Sequence, residues 1–285
     1  MHNATFHQLL HRQRNSHKYN FGHVLIIGGS SGMVGAPFLS AMASLRVGAG
    51  LVTIASDNTV IEKLEKRVEE IMTLAVPLGT AQSLSILNDY IQSRKVSVIV
   101  IGPGLSTTAA PLITAILQKI TLPIVIDGGG LGMVANNPEL LHVRASKQLI
   151  LTPHLGELQR FFDKPFSNNK TTILNLAKNF AKEYKLILVM KGNNTITVTP
   201  KGKLYKNTTG GPALATAGTG DVLSGIIAGI IAQHITPEEA APAAVYLHGL
   251  AGDLATVKNT EPGVIASDVI DYIPNALKSI ELSIR

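Results

Sequence analysis

Short runs of unbroken aliphatic side chains recur through this chain, and they leave few folds open. They fall at residues 23–27 (HVLII), 51–55 (LVTIA), 96–101 (VSVIVI), 123–126 (PIVI), 148–151 (QLIL) and 186–190 (LILVM). A strand with one wet face alternates apolar with polar; a continuous Val/Ile/Leu run bounded by turn residues suits a strand covered on both faces, as in a parallel sheet. Helix-like segments lie between the runs, at 37–47, 60–70, 108–120, 156–162 and 171–184. Strand–helix alternation of this kind predicts a three-layer α/β/α sandwich with a mostly parallel central sheet. After residue 190 the pattern changes. Lys191-Gly192-Asn193-Asn194 reads as a turn into a strand at 195–199, followed by a short strand at 204–206. That predicts an antiparallel meander on the sheet edge. Helices return at 221–232, 237–256 and 267–277.

Composition narrows the function classes. Only 15% of the 285 residues are charged while 45% are hydrophobic, which excludes global disorder. Cys is absent, so disulfides and Cys-held zinc or iron–sulfur sites are excluded. The longest apolar stretch falls far short of the about 18 residues that span a bilayer, and the first 20 residues have no apolar signal core. A cytoplasmic protein with no membrane partner is expected. The net charge is +6, and Arg12, Arg14 and Lys18 in residues 1–20 supply half of it. The surplus is otherwise dilute and lacks basic clusters interleaved with aromatics, which argues against nucleic acid and suits small anionic ligands. His2, His7, His11 and His17 match no metal spacing. Residues 1–20 read as a solvated, partly mobile basic segment, and residues 21–285 as one domain.

Three glycine-rich loops follow strands. The first, GGSSGMVGAP at 28–37, leads into a helix, and Asp57 sits just beyond the second strand, where a dinucleotide-binding unit carries an acid for a ribose hydroxyl. The glycines at 28, 29, 32 and 35 do not form G-x-G-x-x-G, and no Lys completes a phosphate-binding P-loop, so a tight turn and a ligand loop both remain open readings. The second is a Gly-Pro-Gly turn at 102–104. The third, GGPALATAGTGD at 210–221, carries the strongest signal. Backbone N–H groups of a glycine-rich turn and a helix N-terminus make an anion hole, and Asp221 beside it can accept a proton from a hydroxyl that attacks a phosphoryl group. As a plain first-turn acid, Asp221 would leave the preceding glycines unexplained. Gly225 and Gly229 in the following helix permit close packing. His154 and Glu157 in TPHLGE would point from a strand end toward a common site. KGNNT at 191–195 is a polar turn with a cation at its base.

Taken in order, the segments at 32–53, 98–106, 150–157, 189–195, 217–233, 244–255 and 263–277 resemble the ADP/ATP-dependent NAD(P)H-hydrate dehydratase family, within the ribokinase-like superfamily. GTGD alone would indicate only the superfamily; its pairing with TPHLGE, KGNNT and AVYLHGLAGDLA is far more specific. The resemblance implies repair of nicotinamide cofactor. The substrate would be (S)-NADH or (S)-NADPH hydrate, and ADP (or ATP) the co-substrate; with ADP the products would be the reduced cofactor, AMP and phosphate. It also implies residue roles. Asp221 would be the base and, with Ala36, Gly104 and His154, would line the hydrate pocket. Gly218, Thr219 and Gly220 would form the anion hole. Lys191, Gly192, Asn193, Asn194, Thr195 and Gly220 would hold the adenine nucleotide. Glu157 would reach Mg²⁺ through water. A homo-oligomer, tetrameric by resemblance, and a separate epimerase would be the partners.

The chain departs from the family pattern twice. Many members read Asp-Ala-Asp-Ala-Leu where this chain has Asp127-Gly128-Gly129-Gly130-Leu131, so a second carboxylate is missing. Asn207-Thr208-Thr209-Gly210 replaces Asn-Pro-Thr-Gly. A superfamily kinase acting on a hydroxyl, or a non-catalytic nucleotide-binding module, are the competing readings.

Overall fold

A computed structural model describes residues 3–67, 69–162, 165–166 and 169–284. The expected runs are strands, and one strand that was not expected, β3, joins them: β1 (His23–Ile27), β2 (Leu51–Ser56), β3 (Met72–Ala75), β4 (Val98–Ile101), β5 (Ile124–Ile126), β6 (Leu149–Leu151), β7 (Ile187–Met190), β8 (Ile196–Val198) and β9 (Leu204–Lys206). Their order in the sheet is β3-β2-β1-β4-β5-β6-β7-β8-β9. All pairs from β3 to β7 are parallel, and β7-β8-β9 is the antiparallel edge meander.

Alternate residues along each central strand feed two separate cores. Val24, Ile26, Val98, Val100, Val125, Ile150, Ile187 and Val189 pack into one. Leu25, Ile27, Ile99, Ile101, Ile124, Ile126, Leu149, Leu151 and Leu188 pack into the other. Both faces are therefore dry, which is why the strand sequences do not alternate. Helices on the first face are α1 (Asn3–Leu10), α2 (Gly35–Arg46), α3 (Asn58–Leu64) and, from the C-terminal region, three longer helices described below. The second face carries α4 (Leu84–Arg94), α5 (Ala110–Lys119), α6 (Gly128–Ala135), α7 (Leu140–Val143), α8 (Leu155–Gln159) and α9 (Lys170–Glu183). The C-terminal three, α10 (Thr219–Ala232), α11 (Pro237–Lys258) and α12 (Ala266–Ile284), complete the first layer.

Several boundaries differ from expectation. The helix expected at 60–70 ends at Leu64; Val60, Ile61 and Leu64 are buried, whereas Glu65, Lys66 and Arg67 are exposed and give a continued helix nothing to bury. Residue 68 of that expectation lies outside the described residues. Residues 3–10, expected as solvated chain, form a helix with Thr5, Phe6 and Leu9 buried. His2 lies outside the described residues.

The contact that positions the site is α2 against α10. A Cβ on Gly225 would stand 2.1 Å from the Ser40 carbonyl oxygen, and one on Gly229 would stand 2.9 Å from that of Ser44. Ser44 Oγ donates to the Gly225 carbonyl at 2.9 Å. Residue numbers rise together along this contact, so the two helices run parallel. One turn back along each lie Ala36 and Asp221, and both therefore sit at the same end of the sandwich. Gly225→Ala is expected to destabilise the fold by about 3 kcal/mol, because the obstacle is backbone and cannot rotate away. The midpoint of urea unfolding measures it; an unchanged midpoint would show that the helices separate freely.

Candidate active site

The carboxyl ends of β5, β6 and β7 bring three charged side chains together, the usual place for a site in an open α/β sheet. Asp127 follows β5, His154 and Glu157 follow β6, and Lys191 follows β7. The strand ends are tied in sequence: Asp127 N–H donates to Ile101 O at 2.9 Å, Thr152 N–H to Ile126 O at 3.1 Å, and Lys191 N–H to Pro153 O at 2.8 Å. Lys191 Nζ donates to Asp127 Oδ1 at 2.7 Å and lies 3.7 Å from Glu157 Oε2. Thr152 Oγ1 donates a second hydrogen bond to Asp127 Oδ1, also 2.7 Å long. The Asp127 side chain is 2% exposed and that of Lys191 20%, so the carboxylate end of the pair is buried and the ammonium end reaches the site.

His154 and Glu157 have a local task as well. His154 Nδ1 accepts from Gly156 N–H and Glu157 N–H at 3.1 and 3.2 Å, and Glu157 Oε2 accepts from His154 N–H at 2.8 Å. They form a reciprocal cap on α8. The cap also fixes the Glu157 carboxylate toward Lys191.

Asp221 faces this cluster from the first turn of α10. Burial pushes its carboxyl up to about 7; the negative charges of Asp127 and Glu157 add to the rise and Lys191 opposes it. For Lys191 burial works the other way, yet Asp127, Glu157 and Asp221 together hold its ammonium above the ordinary lysine value. Gly220 stands against the pair: a Cβ there would lie 3.2 Å from Lys191 Nζ and 3.8 Å from Asp127 Oδ2. A side chain at 220 would separate the α10 N-terminus from the charged cluster.

Next to the cluster opens a cleft of about 400 Å³. Lys191, Gly192, Asn193, Asn194 and Thr195 line one side, and Thr219 and Gly220 line another. Thr195 Oγ1 donates to Gly192 O at 3.0 Å and closes that turn. Gly218 does not line the cleft. Its φ of +90° is left-handed, and a Cβ there would meet Leu39 Cδ1 at 2.6 Å. Thr219 N–H donates to Thr216 O at 3.4 Å and its hydroxyl to the Leu214 carbonyl at 2.8 Å, so Thr219 shapes the turn from within. Gly104 and Ala36 form a separate wall: a Cβ on Gly104 would lie 3.1 Å from Ala36 Cβ and 2.6 Å from Met33 O.

Sequence reading gave no site role to Asp127, to segment 207–209 or to His248. Segment 207–210 is strapped to α11: Thr209 Oγ1 donates to Tyr246 O at 2.8 Å and Gly210 N–H to Asp253 Oδ2 at 2.8 Å. Gly210, Gly211, Pro212 and His248 line the cleft. Burial pushes the His248 imidazole down to about 4, so it is neutral at pH 7. At Gly129, where a second carboxylate is common in the family, a Cβ would stand 2.3 Å from the Leu105 carbonyl oxygen. The loop after β4 closes that position to any side chain.

The sequence model of a family described as NAD(P)H-hydrate dehydratase matches residues 24–275. The chain is 38% identical over 279 residues to the bifunctional NAD(P)H-hydrate repair enzyme Nnr of Moorella thermoacetica, covering 96% of this chain and 52% of that protein. It thus spans about half the length of the bifunctional relatives it matches. It is 30% identical over 272 residues to the ADP-dependent (S)-NAD(P)H-hydrate dehydratase of Bacillus subtilis, covering 95% of this chain and 94% of that one. The crystal structure of the Bacillus subtilis ADP/ATP-dependent NAD(P)H-hydrate dehydratase, co-crystallised with ATP and Mg²⁺, superposes with a TM-score of 0.81 at 28% identity, over 98% of this chain and 97% of that one. Arabidopsis thaliana ribokinase, at 14% identity and a TM-score of 0.54 over 88% of this chain and 98% of that one, shares the fold alone. The layered sheet is the ribokinase-like sandwich the sequence led us to expect.

Proposed function

The chain belongs to the NAD(P)H-hydrate dehydratase family, and from that premise we propose that it restores NADH or NADPH from the (S)-hydrates by spending an adenine nucleotide, with ADP as the co-substrate. The observation that carries this reading is Asp221. A carboxyl held near neutrality beside a glycine-lined cleft is a base matched to a hydroxyl at cellular pH.

Hydroxide is a poor leaving group and phosphate a good one. The C6 hydroxyl oxygen attacks the terminal phosphorus of ADP, Asp221 takes the hydroxyl proton, and the bond to the bridging oxygen breaks to release AMP. The C6–O bond then breaks, the ring nitrogen supplying electrons and phosphate leaving with the bonding pair. Loss of a proton from C5 restores the double bond. Ala36, Gly104 and His154 would orient the hydrate. Lys191 and the turn 192–195 would hold the nucleotide, and the transferred phosphoryl would be received at Gly220, where the first turn of α10 meets the cleft, and not at Gly218, which lies off the cleft, or at the Thr219 N–H, which is bonded to Thr216 O. Among the described residues no group of three or more His, Asp or Glu could hold a metal alone. Mg²⁺ takes phosphate oxygens, water and one or two carboxylates, and the hard carboxylate donors here fit a cation brought by the nucleotide, with Glu157 reaching it through water. When bound it would neutralise phosphate charge. We place the enzyme in the cytoplasm, as a homo-oligomer of tetrameric form that works alongside an epimerase of the (R)-hydrate.

The test adds enzyme, Mg²⁺ and ADP to hydrated NADH and follows the near-ultraviolet band of reduced nicotinamide. The band is expected to return as AMP and phosphate appear. No return with either ADP or ATP would overturn the reading, and a phosphorylated hydrate that accumulates would identify a kinase instead.

A further inference from the structure

Residues 28–33 of the first glycine loop and Asp57 take no part in the site above, yet they meet on a second cleft of about 600 Å³. Ser30 and Ser31 line it from the loop after β1, Asp57 from the end of β2, and Ser106, Thr107 and Thr108 from the loop after β4. The two loops are locked to each other. Gly29 N–H donates to Pro103 O at 2.8 Å and Ser30 Oγ to Gly104 O at 2.8 Å. A Cβ on Gly28 would stand 2.4 Å from the Pro103 carbonyl oxygen, so this approach requires glycine. Asp57 is fixed as well, because its Oδ1 accepts from Leu78 N–H at 2.8 Å. It is the one charged residue lining the cleft among the described residues.

This cleft adjoins the reacting centre. Gly104 packs against both Met33 and Ala36; Met33 lines the second cleft, and Ala36 lies at the Asp221 end of the α2–α10 contact. In the order β2-β1-β4-β5, Asp57 and Asp127 are three strand spacings apart, about 14 Å at about 4.8 Å per strand. An extended dinucleotide spans that distance.

We propose that the second cleft receives the adenosine half of the hydrated dinucleotide, that Asp57 accepts hydrogen bonds from its ribose hydroxyls, and that the chain therefore prefers NADH hydrate over NADPH hydrate. The proposal rests on the dehydratase reading for its substrate. A carboxylate accepts from two vicinal hydroxyls and repels a 2′-phosphate, and no Lys or Arg lines the cleft to offset that repulsion.

Two variants test it. Asp57→Asn keeps an oxygen for Leu78 N–H and removes only the charge. Ser31→Trp fills the cleft from an exposed position. Both are assayed with each hydrate, and binding of unhydrated NADH and NADPH is measured by calorimetry. The wild type is expected to favour NADH hydrate in kcat/KM by about tenfold or more, and Asp57→Asn to shrink that ratio about tenfold through a lower KM for NADPH hydrate. Ser31→Trp should raise KM for both hydrates and weaken binding of both unhydrated cofactors, with ADP affinity unchanged. An unaltered ratio in the first folded variant together with unaltered KM and cofactor binding in the second overturns the proposal. A wild type that turns over neither hydrate, yet loses NADH binding on Ser31→Trp, overturns the reaction and keeps the subsite.

Discussion

Asp221→Asn is expected to lower turnover of hydrated NADH by a factor of about 10³, the scale of a lost general base, while raising the melting temperature at and above neutral pH. The two effects share one cause. The Asp221 carboxyl titrates near 7 in the folded protein against 3.8 for an ordinary aspartate, chiefly because it is buried and secondly because Asp127 is close. The folded state thus holds a proton that the unfolded chain gives up. As pH rises from about 4 to about 7 the unfolded chain ionises first, and stability falls across that window. Above 7 the full penalty of an ionised, buried Asp221 is present; below about 4 it is absent. Asparagine removes the penalty, so the gain in melting temperature should be largest at pH 8 and vanish toward pH 4. Wild-type kcat/KM should lose tenfold per pH unit below an apparent pKa near 7. Circular-dichroism melts and a pH–rate profile check both. A variant that keeps its turnover, or a profile flat through neutrality, would remove Asp221 from the base role.

The central sheet was legible because burial on both faces writes itself into sequence as unbroken aliphatic runs. Where that condition fails, the signal fails with it. β3 is the sheet edge opposite the meander; its Met72, Thr73 and Leu74 are only half-buried and Ala75 is exposed, and no strand was expected there. α1 went unseen because its apolar face is small, with only Phe6 and Leu9 as buried large residues. In the site, the elements that depend on local chain were readable: the turn at 191–195, the place of His154 and Glu157 at a strand end, and the glycine run into α10; the reciprocal cap between His154 and Glu157 was not read. The Lys191–Asp127 pair was not, since 64 residues separate the partners and only the parallel register of β5, β6 and β7 brings them into contact. Asp57 was legible, because β1 and β2 are consecutive parallel neighbours and a residue just past the second strand ends beside the loop after the first.

That distant pair gives the second large effect. Lys191→Met keeps the length of the side chain and deletes its charge. Asp127 is 2% exposed, and removing its cation leaves a buried carboxylate with Thr152 Oγ1 as its remaining side-chain donor. Breaking a buried pair from one side destabilises by about 3–5 kcal/mol, so the midpoint of urea unfolding should fall by that measure. The consequence for chemistry follows from charge. Lys191 is the group that opposes the rise of the Asp221 carboxyl; without it, Asp127 and Glu157 push that carboxyl higher still. The acid limb of the pH–rate profile should therefore move above 7, and turnover at pH 7 should fall more than turnover at pH 9. A purely structural lysine would lower both by the same factor, and that result would take Lys191 out of the tuning of Asp221. Lys191→Arg separates charge from shape. The ammonium makes one close contact, 2.7 Å to Asp127 Oδ1, and a longer, planar guanidinium cannot reproduce that point contact in the same place. Arginine should restore the position of the acid limb in whatever fraction still turns over, without restoring stability.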